Sequence, residues 1–166
     1  MLSGPSIIQS LKQANIRYVL SVPDIVTSDG LLWPISQDPD FTLIRVCKED
    51  EAVSIAAALS FADVRSLVLI QNTGFMDSIN AIRVMAVEYN LPVCLMVGLQ
   101  GIEPDTLPHQ SDKYSVRICP PMAEVMQLDH HLLRDEDDVS QIAPEIERAY
   151  NAPKPVTFFL GGSPSP

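Results

Sequence analysis

The chain is poor in the residues that mark several common classes of protein. Its three cysteines, Cys47, Cys94 and Cys119, are odd in number, widely spaced and without a CxxC pair. Neither a disulfide framework nor a zinc site follows from that spacing, and each thiol is expected to serve as a small buried hydrophobe. Basic residues are scarce: 11 Lys plus Arg stand against 21 Asp plus Glu, a net charge of −10. No basic cluster interleaves with aromatics, so nucleic acid is not an expected partner. The longest nearly pure apolar run, Leu91 to Leu99, is far short of the ~20 residues of a membrane span, and the N-terminus has no basic-then-apolar signal pattern. The expectation is a soluble, cytoplasmic protein with no membrane partner. Only seven glycines occur, and neither GxxxxGK[ST] nor GxGxxG is present, which excludes a Gly-rich phosphate cradle. No resident metal is expected, because His130 and His131 are adjacent, cannot share one site on a strand, and leave His109 alone. There is no GxSxG elbow.

What is present is apolar and ordered. Residues of the AVILMFWYC set make up 46% of 166 residues, enough to fold one domain, placed at residues 1–161 with a flexible tail at 162–166. Short β-branched runs predict strands at Arg17 to Val22, Thr42 to Val46, Ser66 to Asn72, Pro92 to Leu99 and Val156 to Leu160, with a weak one near His131 to Leu133. Helical spacing predicts helices at Pro5 to Ala14, Lys48 to Ala62, Asp77 to Tyr89, Pro120 to Leu128 and Asp137 to Tyr150. Residues 24 to 36 are ambiguous, and Gln100 to Arg117 is too long and polar for an ordinary connection, which marks a candidate functional loop. Strands without a polar face, alternating with helices, imply a three-layer α/β/α domain with a mostly parallel sheet of about six strands.

In such sheets ligands bind at the carboxyl ends of the strands. The segments there are Pro23-Asp24, Cys47 to Glu51, Gln71 to Asp77 and the long loop after Leu99. Glu49, Asp50 and Glu51 open a helix, where carboxylates are favoured by the macrodipole at about 0.3 to 1 kcal/mol each. A carboxyl group under an apolar helix face is also partly desolvated, a condition for proton exchange. Asp24 reads equally as a helix N-cap or as an active-site acid.

In order along the chain come Val22-Pro23-Asp24, Cys47-Lys48-Glu49-Asp50-Glu51, Ala56-Ala57, Gln71-Asn72-Thr73-Gly74, Asp77-Ser78-Ile79-Asn80-Ala81-Ile82 and Leu91-Pro92. This series resembles the pyrimidine-binding (PYR-type) domain of thiamine diphosphate enzymes, and within it the alpha subunits of the sulfopyruvate and phosphonopyruvate decarboxylase family. The resemblance runs from about residue 5 to residue 161. It implies that Glu49 hydrogen-bonds N1′ of the cofactor's aminopyrimidine and acts in catalysis. It implies that Asn72, Thr73 and Gly74 meet the same ring, and that Asp24 lies near the substrate. His109, in Pro108-His109-Gln110, is a candidate proton donor where relatives carry Pro-Gln-His.

Departures from the family pattern are also legible. Ala58 replaces a usual glycine, and Leu99-Gln100-Gly101 replaces an Arg-Gly pair, removing an expected anion-binding arginine. The GDG sequence with its downstream asparagine, which holds the diphosphate and magnesium in this family, is absent; Ser28-Asp29-Gly30 is the nearest approach. The resemblance therefore implies a two-component 2-oxoacid decarboxylase whose beta subunit binds the diphosphate and Mg2+, with sulfopyruvate or phosphonopyruvate as substrate. The alternative is a non-catalytic regulatory or assembly subunit of such a hetero-oligomer.

Overall fold

A computed structural model describes residues 2–166. Six strands, β1 (Tyr18–Ser21), β2 (Thr42–Arg45), β3 (Ser66–Gln71), β4 (Cys94–Gly98), β5 (Asp129–Leu133) and β6 (Val156–Leu160), form one sheet in the order β2-β1-β3-β4-β6-β5. Every pairing is parallel. Parallel neighbours require crossovers, and helices supply them on both faces, which gives the expected three layers.

The two faces of the sheet hold two cores. Val19, Leu67, Leu69, Cys94, Met96 and Phe158 pack one way, against α1 (Gly4–Gln13), α2 (Trp33–Gln37), α8 (Glu136–Val139) and α9 (Ile142–Asn151). Leu20, Val68, Ile70, Leu95 and Phe159 pack the other way, against α3 (Glu49–Phe61), α4 (Asn72–Asp77), α5 (Ile79–Ala81), α6 (Tyr114–Arg117) and α7 (Cys119–Val125). This is why the central strands show no polar alternation: both faces are dry. Phe75 of α4 meets Phe159 of β6 edge to face at 5.5 Å, fixing α4 to the sheet.

Few glycines are needed because other residues end the helices. Asn15 after α1, Asp63 after α3 and Gln127 after α7 take the left-handed conformation, with φ of 57°, 57° and 58°, a role glycine usually fills. Cys94 and Cys119 are buried as expected, and burial pushes both thiols up to about 12. Cys47 departs from the expectation: it is exposed, because it follows the sheet's outermost strand and precedes an exposed helix start.

The ambiguous stretch resolves into a turn at 25–27 followed by a wide helical turn at Ser28–Leu32 that runs into α2, and a further expectation is corrected. The tail is tied down instead of free: Ser165 N–H donates to Leu2 O at 2.9 Å, Gly4 N–H donates to Ser165 O at 2.8 Å, and Pro164 is buried. Those backbone bonds join the two ends of the chain, which no local pattern in 161–166 signals.

No helix among the described residues is long and apolar enough to cross a membrane, and no cluster of three or more metal-ligating side chains occurs among them.

Candidate functional site

The strand order places a switch point between β1 and β3. From β1 the chain moves outward to β2, whereas from β3 it moves the opposite way to β4, so the crossovers part and leave a crevice at the carboxyl ends. The crossover α3 returns from β2 over β1 and β3 and begins with Glu49; α4 begins directly at the end of β3. Here the sequence expectation of a strand through Asn72 is corrected. The strand stops at Gln71, and Asn72, Thr73 and Gly74 form the first turn of a helix, started by Asn72 Oδ1 accepting from Thr73 N–H at 3.1 Å.

Of the three acids, Asp50 and Glu51 are engaged locally. Asp50 Oδ1 accepts from Glu51 N–H at 2.9 Å, and Glu51 Oε2 accepts from Cys47 N–H at 3.2 Å. Lys48 lies 3.6 Å from Asp50 and 3.2 Å from Asp77, and those carboxylates push its ammonium pKa up. This lysine therefore ties the start of α3 to the end of α4. Glu49 differs: it is half-buried, and no donor among the described residues reaches its carboxylate. Its side chain lies against the backbone of Gly74, where an added β-carbon would stand 2.3 Å from Cγ and 2.5 Å from Oε1 of Glu49. Only glycine leaves room for the acid there.

The other expected residues divide. Asn72 is buried, and its amide donates to Ser115 Oγ at 3.3 Å and to Gln100 O at 3.5 Å, so it ties the long connection to the site. Thr73 is exposed. Asp24 is not the expected helix N-cap, since Thr27 holds that position; it holds the turn that leads there. Its Oδ1 accepts from Val26 N–H at 2.7 Å and Thr27 N–H at 2.9 Å, and its Oδ2 accepts from the Thr27 hydroxyl at 2.6 Å. A buried carboxylate so fully occupied holds the 24–28 turn, which packs on Gly98 at the end of β4. His109 is exposed in a short turn, Pro108–Gln110, and lines a cleft whose walls include neither Glu49 nor Gly74. One polar group was not singled out from the sequence: Gln71 Oε1, at the end of β3, is buried without a donor. Such orphans are uncommon and call for a reason, but strand-end glutamine carries no signal until its surroundings are known.

A cleft of about 500 Å³ is an apolar groove whose lining includes Ile79, Tyr114, Ile118, Met122, Val125 and Met126. Val125 and Tyr114 are largely exposed.

No family model matches the chain. Among curated proteins, it is 31% identical over 110 residues to the sulfopyruvate decarboxylase subunit alpha of Methanocaldococcus jannaschii, covering 66% of this chain and 64% of that one. The chain is a relative of the sulfopyruvate decarboxylase alpha subunits. The protein of the same name from Methanothermobacter thermautotrophicus is 28% identical over 101 residues, 61% of each chain, and that from Methanococcus maripaludis 24% over 101 residues, 61% of this chain and 60% of that one. The match thus spans less than two-thirds of the length of these alpha subunits. These relatives bear out the resemblance to sulfopyruvate decarboxylase alpha subunits read from the residues of the strand ends.

Proposed function

We propose that the chain is the pyrimidine-side subunit of a two-component, thiamine diphosphate-dependent 2-oxoacid decarboxylase of the cytoplasm, acting on sulfopyruvate, with phosphonopyruvate the second choice of substrate. The observation that carries this reading is the unpartnered Glu49 carboxyl packed on Gly74 at the switch point of the sheet. A half-buried acid without a donor has its hydrogen-bonding capacity free for a ligand, and the glycine leaves the room that the acid's own side chain occupies. Both features fit a planar nitrogen heterocycle held by one carboxyl group and by backbone.

When bound, thiamine diphosphate supplies the electron sink that lets the substrate carboxylate leave as CO2. The work of this chain is narrower. Glu49 holds or exchanges a proton at N1′ of the aminopyrimidine, Gly74 makes room for that acid, and Lys48, through Asp77, holds the start of α3 against α4 so that the acid stays in place. Asp24 shapes the neighbouring turn, and no proton transfer is assigned to it. The diphosphate and its magnesium fall to a beta subunit, for which the exposed groove around Ile79, Met122 and Val125 offers an apolar face next to the helices that follow the Gly74 turn.

The test is reconstitution. The chain is co-expressed with a subunit carrying the GDG sequence, and CO2 release from sulfopyruvate is measured with thiamine diphosphate and magnesium. Glu49→Gln is expected to lower turnover by roughly 10²- to 10⁴-fold, the usual contribution of a positioned acid or base, while the complex still assembles. Unchanged turnover would instead establish a non-catalytic regulatory or assembly subunit.

A further inference from the structure

Two large hydrophobic side chains stand exposed at the carboxyl ends of β1 and β2, beside the switch point. Ile25 is 78% exposed although its turn is fixed. Asp24 accepts from Val26 N–H, Thr27 N–H and the Thr27 hydroxyl, and Val26 is buried against Gly98 at the end of β4, which turns its neighbour Ile25 outward. Trp33, the one tryptophan of the chain, is 41% exposed at the start of α2. The guanidinium of Arg45, the last residue of β2, lies over its ring at 5.5 Å. The register pairs Arg45 with Ser21, so the turn of Ile25 and the helix start of Glu49 leave the sheet side by side.

Arg45 is exposed and makes neither an ion pair nor a side-chain hydrogen bond among the described residues. Lys48, the next cation along the chain, is by contrast held by Asp50 and Asp77. Stacking on Trp33 occupies the face of the guanidinium and leaves its five in-plane N–H donors free. On a chain of net charge −10, a placed cation without a counter-ion attracts a carboxylate that the rest of the surface repels, and such pairs set the register between partners. Tryptophan and arginine are enriched among the residues that anchor protein interfaces. Ile25 adds apolar area on a turn already ordered, so little conformational entropy is lost on contact. The occupant follows from the site. With the aminopyrimidine held by Glu49 on this chain and the diphosphate by the beta subunit, that subunit has to approach over the carboxyl ends of the strands, where these three side chains stand.

We propose that Ile25, Trp33 and Arg45 anchor the beta subunit, the two apolar side chains against an apolar residue of that subunit and the Arg45 guanidinium on one of its carboxylates. The anchor rests on the two-subunit reading and is a contact separate from the groove around Met122. It is tested by measuring, at low and high salt, the dissociation constant of the complex with a subunit carrying the GDG sequence, by sedimentation velocity. Trp33→Ala is expected to weaken assembly about tenfold or more, as loss of an interface anchor does. Arg45→Met keeps a side chain over the ring, and is expected to weaken assembly about tenfold at low salt and to flatten its salt dependence. Ile25→Ser is expected to weaken it about threefold or more. Phe61→Ser, equally exposed but at the opposite end of α3, is expected to leave it unchanged. Because these side chains are exposed, the free variants keep thermal midpoints near that of the wild type. Turnover is expected to recover at saturating beta subunit, which separates lost assembly from lost Glu49 chemistry. If the wild-type complex forms and turns over while Trp33→Ala and Arg45→Met assemble with wild-type affinity, or Phe61→Ser loses as much as they do, the anchor is overturned and the two-subunit reading stands. If the wild-type chain forms no complex, both fall.

Discussion

Glu49 and Gly74 are legible only as a pair. The acid is one of three in a helical first turn, and its neighbours do what such acids ordinarily do, accepting nearby backbone N–H groups and pairing with Lys48. What sets it apart is the absence of a side chain at position 74, where a β-carbon would stand 2.3 Å from its Cγ. Gly74→Ala should therefore displace a side chain without breaking the fold, since alanine is favoured over glycine in a helix by about 1 kcal/mol. The thermal midpoint is expected to move little, while turnover of the reconstituted enzyme falls about tenfold or more. The double variant Gly74→Ala/Glu49→Gln should be no worse than Glu49→Gln alone, because both act through one carboxyl group. Additive losses in the double variant would mean that Gly74 serves something other than making room for Glu49.

At the scale of the elements, Arg65 ties three of them together. Just before β3, its guanidinium donates to Ala14 O at the end of α1 at 2.8 Å, pairs through both terminal nitrogens with Glu147 of α9, and lies 4.8 Å from the Tyr150 ring. Tyr150 Oη in turn accepts from Ser66 N–H at 3.2 Å, and burial pushes the phenol pKa up. Arg65→Met strands the Ala14 carbonyl and the Tyr150 face, and is expected to cost about 2 kcal/mol, read as a thermal midpoint lower by roughly 4 to 8 °C in a chain of this size. Such a junction is invisible in sequence, because residues 14, 65 and 147 share no local period. The six strands, by contrast, are legible within a residue or two: burial on both faces leaves β3, β4 and β6 as runs of β-branched and aliphatic residues whatever the topology, while the part-exposed edge strand β5 gives only the weak signal of His131 to Leu133. The first turn of α4 reads as a strand end because no glycine or proline separates Asn72 from the apolar run before it; the side-chain bonds of Asn72 to Thr73 and Ser115 that start the helix are not visible in sequence. For the candidate site, Glu49, Asn72, Thr73, Gly74, Asp24 and His109 are legible as candidates through their order along the chain. The surroundings of Asp24 and His109 are not, because a turn-holding acid and a loop histidine look the same in sequence as any other acid or histidine.

For the whole molecule, the carboxylates decide how stability follows pH. The Arg65 guanidinium holds Glu147 below the usual carboxylate range, the Lys12 ammonium does the same for Asp38, and the Ser111 hydroxyl for Glu103. Groups whose pKa is lower in the folded than in the unfolded chain add stability above their unfolded values, near 3.9 for Asp and 4.3 for Glu, and lose it as pH falls through the folded values. An opposing effect exists, because protonation also relieves the mutual repulsion of a chain carrying −10. Contact distance decides between them. Lys12 lies 2.7 Å from Asp38, and the Ser111 hydroxyl donates to Glu103 at 2.6 Å, whereas repulsion among dispersed surface charges is cut off beyond about 8 Å at physiological ionic strength. At that ionic strength the thermal midpoint should be flat from neutrality to about pH 5 and fall below about pH 4. The fall should be shallower in Arg65→Met, where Glu147 has lost the cation that lowered it. A midpoint that rises on acidification, or one that falls equally steeply in the variant, would show that general charge repulsion and not these individual partners governs the acid limb.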